Sequence, residues 1–411
     1  MGLILRLAWR NVWRQTRRSL LTASAMGFGV ALCMFYLCLA DGMFTMMFDV
    51  VVGKQIGHAQ VHAPAFPKTR ALYETVDDAA NIEAKLQAHK DVKLTVGRVY
   101  GYGLLGVKDE AKGAQLMGIL PSAETAFRGL GDKVIEGTYL DNKPNMSILL
   151  GHKLAKEMKA KVGDEVVVVT SAADGSMGNE LFKVVGLVKT GATAIDKGGA
   201  LIHRADAQDL FALGDGVHEL AVVGHNQDGI DAAVAATRTI LDDKVKAKKL
   251  LVRSWGEVNP QMFEMLSMQD ALVGIAAFLI FIVAALGILN TMLMNVFERT
   301  KELGVMIAVG LRPWQVMLLV LVETGILAVV AVALGLVFGG LGDWYLVTQG
   351  IDWGVALDFG GVSLDPVIKG VVRPSSIVSI VFLVFVISMM AALWPAWRAS
   401  RVQPVVAMRE Q

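Results

Sequence analysis

Four apolar stretches constrain this chain more than any other feature: Leu20 to Ala40, Ala271 to Asn295, Trp314 to Gly342 and Ile377 to Leu393. Each reaches the roughly 17 to 25 residues that a helix needs to cross a bilayer. Only Glu323 puts a formal charge inside any of them. Buried helices of a large soluble protein would show shorter or amphipathic apolar runs. The chain is therefore expected to be an integral membrane protein.

Orientation follows from the placement of Lys and Arg. Arg6, Arg10, Arg14, Arg17 and Arg18 precede the first span with no acidic residue among them, Arg299, Lys301 and Arg312 lie between the second and third, and Arg398, Arg401 and Arg409 follow the fourth. The loop between the third and fourth spans instead carries Asp343, Asp352, Asp358 and Asp365 against Lys369 and Arg373. Positive charge stays inside, so both termini and the short 296–312 loop are expected in the cytoplasm and the long segment 41–270 outside. The formal net charge of +1 hides this segregation. No basic patch with interleaved aromatics occurs away from the membrane flanks, so nothing points to nucleic acid.

Residues 1–19 read as an interfacial helix, with Leu5, Trp9, Val12 and Trp13 giving apolar surface beside the arginines. Cys38, Leu39 and Ala40 before Asp41 loosely resemble a cleavage site, but the apolar run exceeds a signal core, so 20–40 is read as a retained span. The two cysteines, Cys33 and Cys38, both fall in it. Five helical residues put them about 140° apart around the axis, unsuited to a bridge.

The segment 41–270 is long enough to bury its own core. Gly57 to His62 and Val92 to Val107 read as strands around a helix opened by Asp77, and Glu219 to Gly224, Asp228 to Leu241 and Leu250 to Ser254 repeat strand, helix, strand. Between them, at roughly 121–215, lies a β-rich insert with Met146 to Leu150, the helix His152 to Ala160, Gly163 to Thr170 and Glu180 to Val188. The expected fold is an α-helical membrane protein with four spans and a large α+β extracytoplasmic domain, a split module interrupted by a small β module.

Catalytic patterns mostly fail there. His218, Glu219 and Val222 begin like a zinc-protease motif, without its second histidine. His58 and His62 share a strand face and could ligate a metal, yet no nearby Cys or acidic cluster completes a site. Neither a G-x-S-x-G elbow nor a G-x-x-x-x-G-K-[ST] phosphate loop is present. If ATP drives this protein, another subunit binds it.

The short loop VFERTKELGVMIAVGLR is expected to extend the second span as a helix to Val309. Glu298, Arg299, Lys301 and Glu302 would lie on one broad side, Gly310 would end it, and Pro313 would open the next helix. Such a lever suits docking to a cytoplasmic motor, with a charged loop that merely fixes topology as the alternative.

The runs ERTKELGVMIAVGLRPWQV, LVETGILAVVAVALG, WPAWRASRVQPVVAMRE and LAWRNVWRQTRRSLLTASAMGFGVAL resemble the FtsX and MacB (type VII) superfamily of ABC transporter permeases. GHAQVHAP, ILLGHKLAKEMKAKVGDEVVVV and SWGEVNPQMFEML resemble its lipoprotein-releasing (Lol) branch most, although the chain reads ADGMF where typical Lol permeases carry an MNGF-like sequence. The resemblance implies a permease, not itself an enzyme, in a bacterial inner membrane with its large domain in the periplasm. It would pair with a second copy or paralogue and with a cytoplasmic ABC ATPase dimer that binds ATP and Mg. Glu298, Arg299, Lys301, Glu302, Leu303, Gly304 and Gly310 would then form the coupling helix. Lol relatives pass lipoproteins from the outer leaflet to a periplasmic chaperone by long-range lever action. MacB relatives drive periplasmic substrates into an outer-membrane duct, and FtsX proper, with a smaller outer domain, regulates cell-wall hydrolases.

Met43, Phe44, Met46, Met47 and Phe48 leave the first span, while Met262, Phe263, Met265, Leu266 and Met268 approach the second. These adaptable apolar side chains suit a mouth for acyl chains or, as well, packing between the stems. Glu323, two or three turns inside the third span, is costly unless it faces protein. A structural or coupling contact is expected of it, without a second ionisable residue to form a relay. The complete partition is 1–19, spans 20–40, 271–295, 313–342 and 377–397, the domain 41–270, the coupling segment 296–312, the outer loop 343–376 and the tail 398–411.

Overall fold

The computed structural model describes residues 2–14, 16–225, 229–355, 358–359 and 362–402. The last part of the tail, including Arg409, lies outside the described residues. The chain divides into two compact units. One holds residues 1–45, 266–354 and 366–411, and the other residues 46–265 and 355–365.

In the membrane unit, the helices Thr16–Phe48, Pro260–Glu298, Pro313–Thr348 and Pro374–Ser400 are long and apolar enough to cross a bilayer. Each extends beyond its apolar run at one or both ends, because helix formation does not stop where hydrophobicity does. A separate helix, Gly2–Arg14, precedes them. Its Ala8 and Val12 are buried while Leu5, Trp9 and Trp13 are exposed, so one face packs on protein and the other suits an interface. Val12 joins Ala23 and Met26 of the first span, Ile288 and Met292 of the second, and Leu327, Ala328 and Ala331 of the third in one cluster.

The first and third spans touch through glycine. A Cβ added at Gly335 would fall 2.5 Å from Val30 Cβ, and one at Gly27 would fall 2.9 Å from the Ala331 carbonyl oxygen. Lipid offers helices no hydrophobic drive to associate, so close backbone approach through small residues supplies the contact. Both cysteines are buried and free.

The large domain is built on ten strands: β1 Ala59–His62, β2 Leu94–Val107, β3 Glu110–Ile119, β4 Val134–Gly137, β5 Ser147–Gly151, β6 Glu165–Ser171, β7 Met177–Val188, β8 Gly199–His203, β9 Glu219–Val223 and β10 Leu251–Ser254. They pair in the order β10-β1-β9-β2-β3-β8-β5-β7-β4, with β6 joining β2 to β7. The pairings β2-β3-β8-β5-β7-β6-β2 close on themselves, so six strands form a barrel without a free edge.

The split module and its β-rich insert share a strand. The segment Val92 to Val107 is one strand that serves both halves: Leu94 to Arg98 pair with β9, while Leu104 to Gly106 pair with β6. Glycine permits the change of partner. At Gly101 a Cβ would sit 2.2 Å from the ring of the fully buried Phe211. One apolar cluster runs through both halves, from Ala59, Val222 and Val252 to Leu105, Val168 and Phe182. The helix expected from Asp77 spans Ala79–Gln87 and begins after Asp78, whose side chain makes no capping bond.

Candidate functional site

The second span ends at Glu298, and a short helix, Thr300–Ala308, follows before Gly310 (φ 112°) and Pro313 turn the chain into the third span. The expectation of an unbroken helix to Val309 is corrected: Arg299 leaves helical geometry, with φ −102° and ψ 14°. The cause is local competition. The Thr300 hydroxyl donates to the carbonyls of Val296 (3.0 Å) and Phe297 (2.8 Å), and the Arg299 side chain is drawn inward.

That inward turn makes a polar junction. Arg299 Nη1 donates to both oxygens of Glu323 (3.1 and 3.0 Å), and Arg299 Nε donates to Glu302 Oε2 (3.1 Å). Asn11 of the first helix donates to Glu323 Oε1 at 2.7 Å. Arg14 pairs with Glu302 at 2.9 Å, and Arg18 pairs with Glu298 while also donating to the Thr291 carbonyl. Burial opposes the Arg299 charge, but Glu323 and Glu302 more than offset it and hold its pKa above the usual value. Burial likewise acts to raise Glu302, yet Arg299 and Arg14 hold it below the ordinary carboxylate range. Glu323 therefore makes a contact within the chain, and its ionisable partner is Arg299. The pair sits 24 residues apart, across two helices.

The expected charged docking side is largely used internally. Arg299, Leu303 and Gly304 are turned into the chain, and Leu303 packs with Val296, Val316 and Ala396. Glu298 and Glu302 are half-exposed and ion-paired. Lys301 and Gly310 are exposed, joined by Val305, Ala308 and Val309, the last 81% exposed. Lys301, Val305 and Val309 recur at i, i+4 and so share one face. That spacing is legible in the sequence, where the neighbouring charges stand out more strongly.

The stem residues behave differently from an open mouth. Met47 and Met262 are buried, while Met43, Phe44, Phe48 and Met265 are partly covered; Phe263 and Met268 are exposed. Phe48 meets Trp255 edge-on at 5.3 Å, and Trp255 lies against Phe263 at 5.5 Å. Met47 and Met262 are thus enclosed in this structure, whereas Phe263 and Met268 stand open.

A second ionic group lies inside the large domain. Arg98, 1% exposed, donates to Glu124 (2.5 Å), Glu219 (2.8 Å) and the Gln55 carbonyl (2.9 Å), with its guanidinium 4.9 Å from the Phe127 ring. Burial acts to raise the pKa of Glu124, but Arg128 and Arg98 hold it below the ordinary range. Nearby histidines are absorbed by the core. His62 bonds the His218 carbonyl and Gln60, His218 accepts from the Tyr100 amide and bonds the Leu72 carbonyl, and His58 accepts from the Gly224 amide. Burial lowers the pKa of all three. Among the described residues no three His, Cys, Asp or Glu gather as a metal site.

Four membrane-length helices, a large split α+β domain between the first two in sequence and an ion-paired helix between the second and third are the architecture of a multi-span membrane protein. Residues 19–240 match the family described as MacB-like periplasmic core domain, and residues 274–404 match FtsX-like permease C-terminal. The chain belongs to this FtsX/MacB-like family of ABC transporter permeases. Its spans and periplasmic-type domain fit a bacterial inner-membrane permease.

The chain is similar to the lipoprotein-releasing system transmembrane protein LolC of Neisseria meningitidis serogroup B, 29% identical over 66% of each chain. It is also similar to the pyoverdine export ATP-binding/permease protein PvdT of Pseudomonas fluorescens, 24% identical over 98% of this chain and 59% of that one. These alignments leave a third or more of each relative unmatched. The periplasmic region of MacB from Actinobacillus actinomycetemcomitans superposes with a TM-score of 0.38 at 14% identity, covering 48% of this chain and 87% of that one.

Proposed function

We propose that this chain is the permease subunit of an ATP-driven transporter that extracts lipoproteins or similar amphipathic cargo from the outer leaflet of the inner membrane by mechanotransmission. The junction carries the mechanical part. Arg299, Glu302 and Glu323, with Asn11 and Arg14, tie the first helix, the loop helix and the third span into one block, so a push on the loop helix is delivered to the spans. A cytoplasmic ABC ATPase dimer, binding ATP and Mg, supplies that push against Lys301, Val305, Ala308 and Val309. Both termini are then cytoplasmic, and a second permease copy or paralogue completes the assembly. Similarity to LolC relatives supports lipoprotein cargo and a periplasmic chaperone as acceptor. The near-complete alignment with PvdT supports the second reading, MacB-like efflux of periplasmic substrates to an outer-membrane duct.

Native purification followed by mass spectrometry of bound protein and lipid separates the two readings. A triacylated lipoprotein supports the first, whereas an outer-membrane duct with no lipoprotein overturns it in favour of the second. Val309→Asp should reduce cargo-stimulated ATP hydrolysis on the order of tenfold while the permease stays folded. Undiminished coupling in that variant would remove this helix from the motor contact.

A further inference from the structure

A cleft of about 570 Å³ opens in the large domain, within the roughly 300–1,000 Å³ of ordinary small-molecule sites. Its floor is a patch of sheet. Tyr100 and Tyr102 of β2 stand opposite Met117 and Gln115 of β3, all on one face by the two-residue period of a strand. Leu72 and Ile195 add apolar wall.

Arg128 lines the same cleft with its side chain only 10% exposed. Its hydrogen-bonding capacity is poorly used. Nε lies 3.1 Å from Glu124 Oε2 but makes no hydrogen bond, and Nη2 reaches the Gln55 carbonyl at 3.4 Å. A buried guanidinium carries five donors and ordinarily has them satisfied. The neighbouring carboxylates are already engaged: Glu219 holds Arg98 and the Tyr100 hydroxyl, and Glu124 is shared with Arg98. Arg70 adds a second cation at the rim, over the Phe66 ring. Three guanidinium groups thus face two carboxylates.

We propose that this cleft binds a small amphipathic anion, with its carboxylate or phosphate on Arg128 and its apolar body against Met117, Leu72 and Ile195. The anion accepts charge-assisted hydrogen bonds from the Arg128 guanidinium where it lines the cleft, and bonds of that kind are the strong ones. The inference does not depend on which cargo the transporter moves or on the motor contact.

The test uses the full chain in lipid nanodiscs, with empty nanodiscs as the blank, and titrates 4-phenylbutyrate, phenyl phosphate and the neutral 4-phenylbutyramide by calorimetry. At least one anion should bind about tenfold or more tightly than the amide. The stronger anion identifies carboxylate or phosphate as the natural group. Arg128→Gln should bring that ratio close to one. Ala194→Trp, at an exposed position on the cleft wall, should abolish binding of all three without lowering the unfolding temperature. Equal affinity for anion and amide in the native chain, native affinity in Ala194→Trp, or no anion binding up to about 10 mM would overturn the proposal. Should Arg128→Gln fail to fold, the amide comparison and Ala194→Trp decide.

Discussion

The two ionic groups of this permease are built alike and placed differently. In the large domain, Arg98 is enclosed by Glu124 and Glu219 on elements of one folded body, and its side chain is 1% exposed. At the helix junction, Arg299 is 13% exposed, and its partners are the buried Glu323 and the half-exposed Glu302, which also pairs with the exposed Arg14. The first arrangement fixes a core, where any movement would strand charge. The second links three helices at their ends, where a change of position at one is felt by the others. Burial alone does not assign a role to an ion pair; whether its partners all lie inside one packed core or reach out to exposed helix residues does.

The comparison breaks first at Arg98. Arg98→Met should destabilise the large domain by about 3–5 kcal/mol or more, because two carboxylates lose their partner in a dry interior. Residues 45–265 expressed alone are expected to fold cooperatively, and denaturant unfolding of that fragment measures the loss. Arg299→Met should cost about 3 kcal/mol in the full chain. Adding Glu323→Gln should recover much of that, which a double-mutant cycle reads directly. If the second change recovers nothing, the junction is not a coupled unit.

Acid should separate the regions with a smaller effect. His58, His62 and His218 have folded pKa values below the unfolded value of about 6.5, so the unfolded chain binds more protons between the two. Their contribution is present above about pH 6.5 and is lost as pH falls through the folded values. The large domain should therefore begin to weaken near pH 6.5. Glu302 at the junction, held low, should keep its contribution until the pH drops below about 4.3. Melting of the fragment and of the full chain across this range checks the order. The smallest effect belongs to an exposed pair: Lys112→Ala, which removes the contact with Glu157, should leave the denaturant midpoint of the fragment nearly unchanged.

Spans and most strands were legible because their signals are local. A membrane helix declares itself by run length, and GDEVVVVT declares a strand by composition. What escaped is non-local. Glu110–Ile119 carries Lys, Gln and two glycines and does not alternate, yet it lies centrally, between β2 and β8. Barrel closure depends on β6 finding β2 across the intervening β3, β4 and β5, a pairing that no window of sequence contains. Arg98 looks like an ordinary strand residue until Glu219, 121 positions away, is beside it. The loop helix was found from its Gly-to-Pro punctuation, but its charged residues were assigned outward, because sequence shows periodicity and not which face a buried glutamate will claim.

The glycine contact between the first and third spans has a kinematic consequence. With Val30 seated where Gly335 has no side chain, and the Ala331 carbonyl against Gly27, these helices interlock like two teeth of a gear at rest. Neither can slide past the other by a residue without a side chain meeting backbone. A stroke applied at one end therefore displaces the two as a single bar, without phase lag between them.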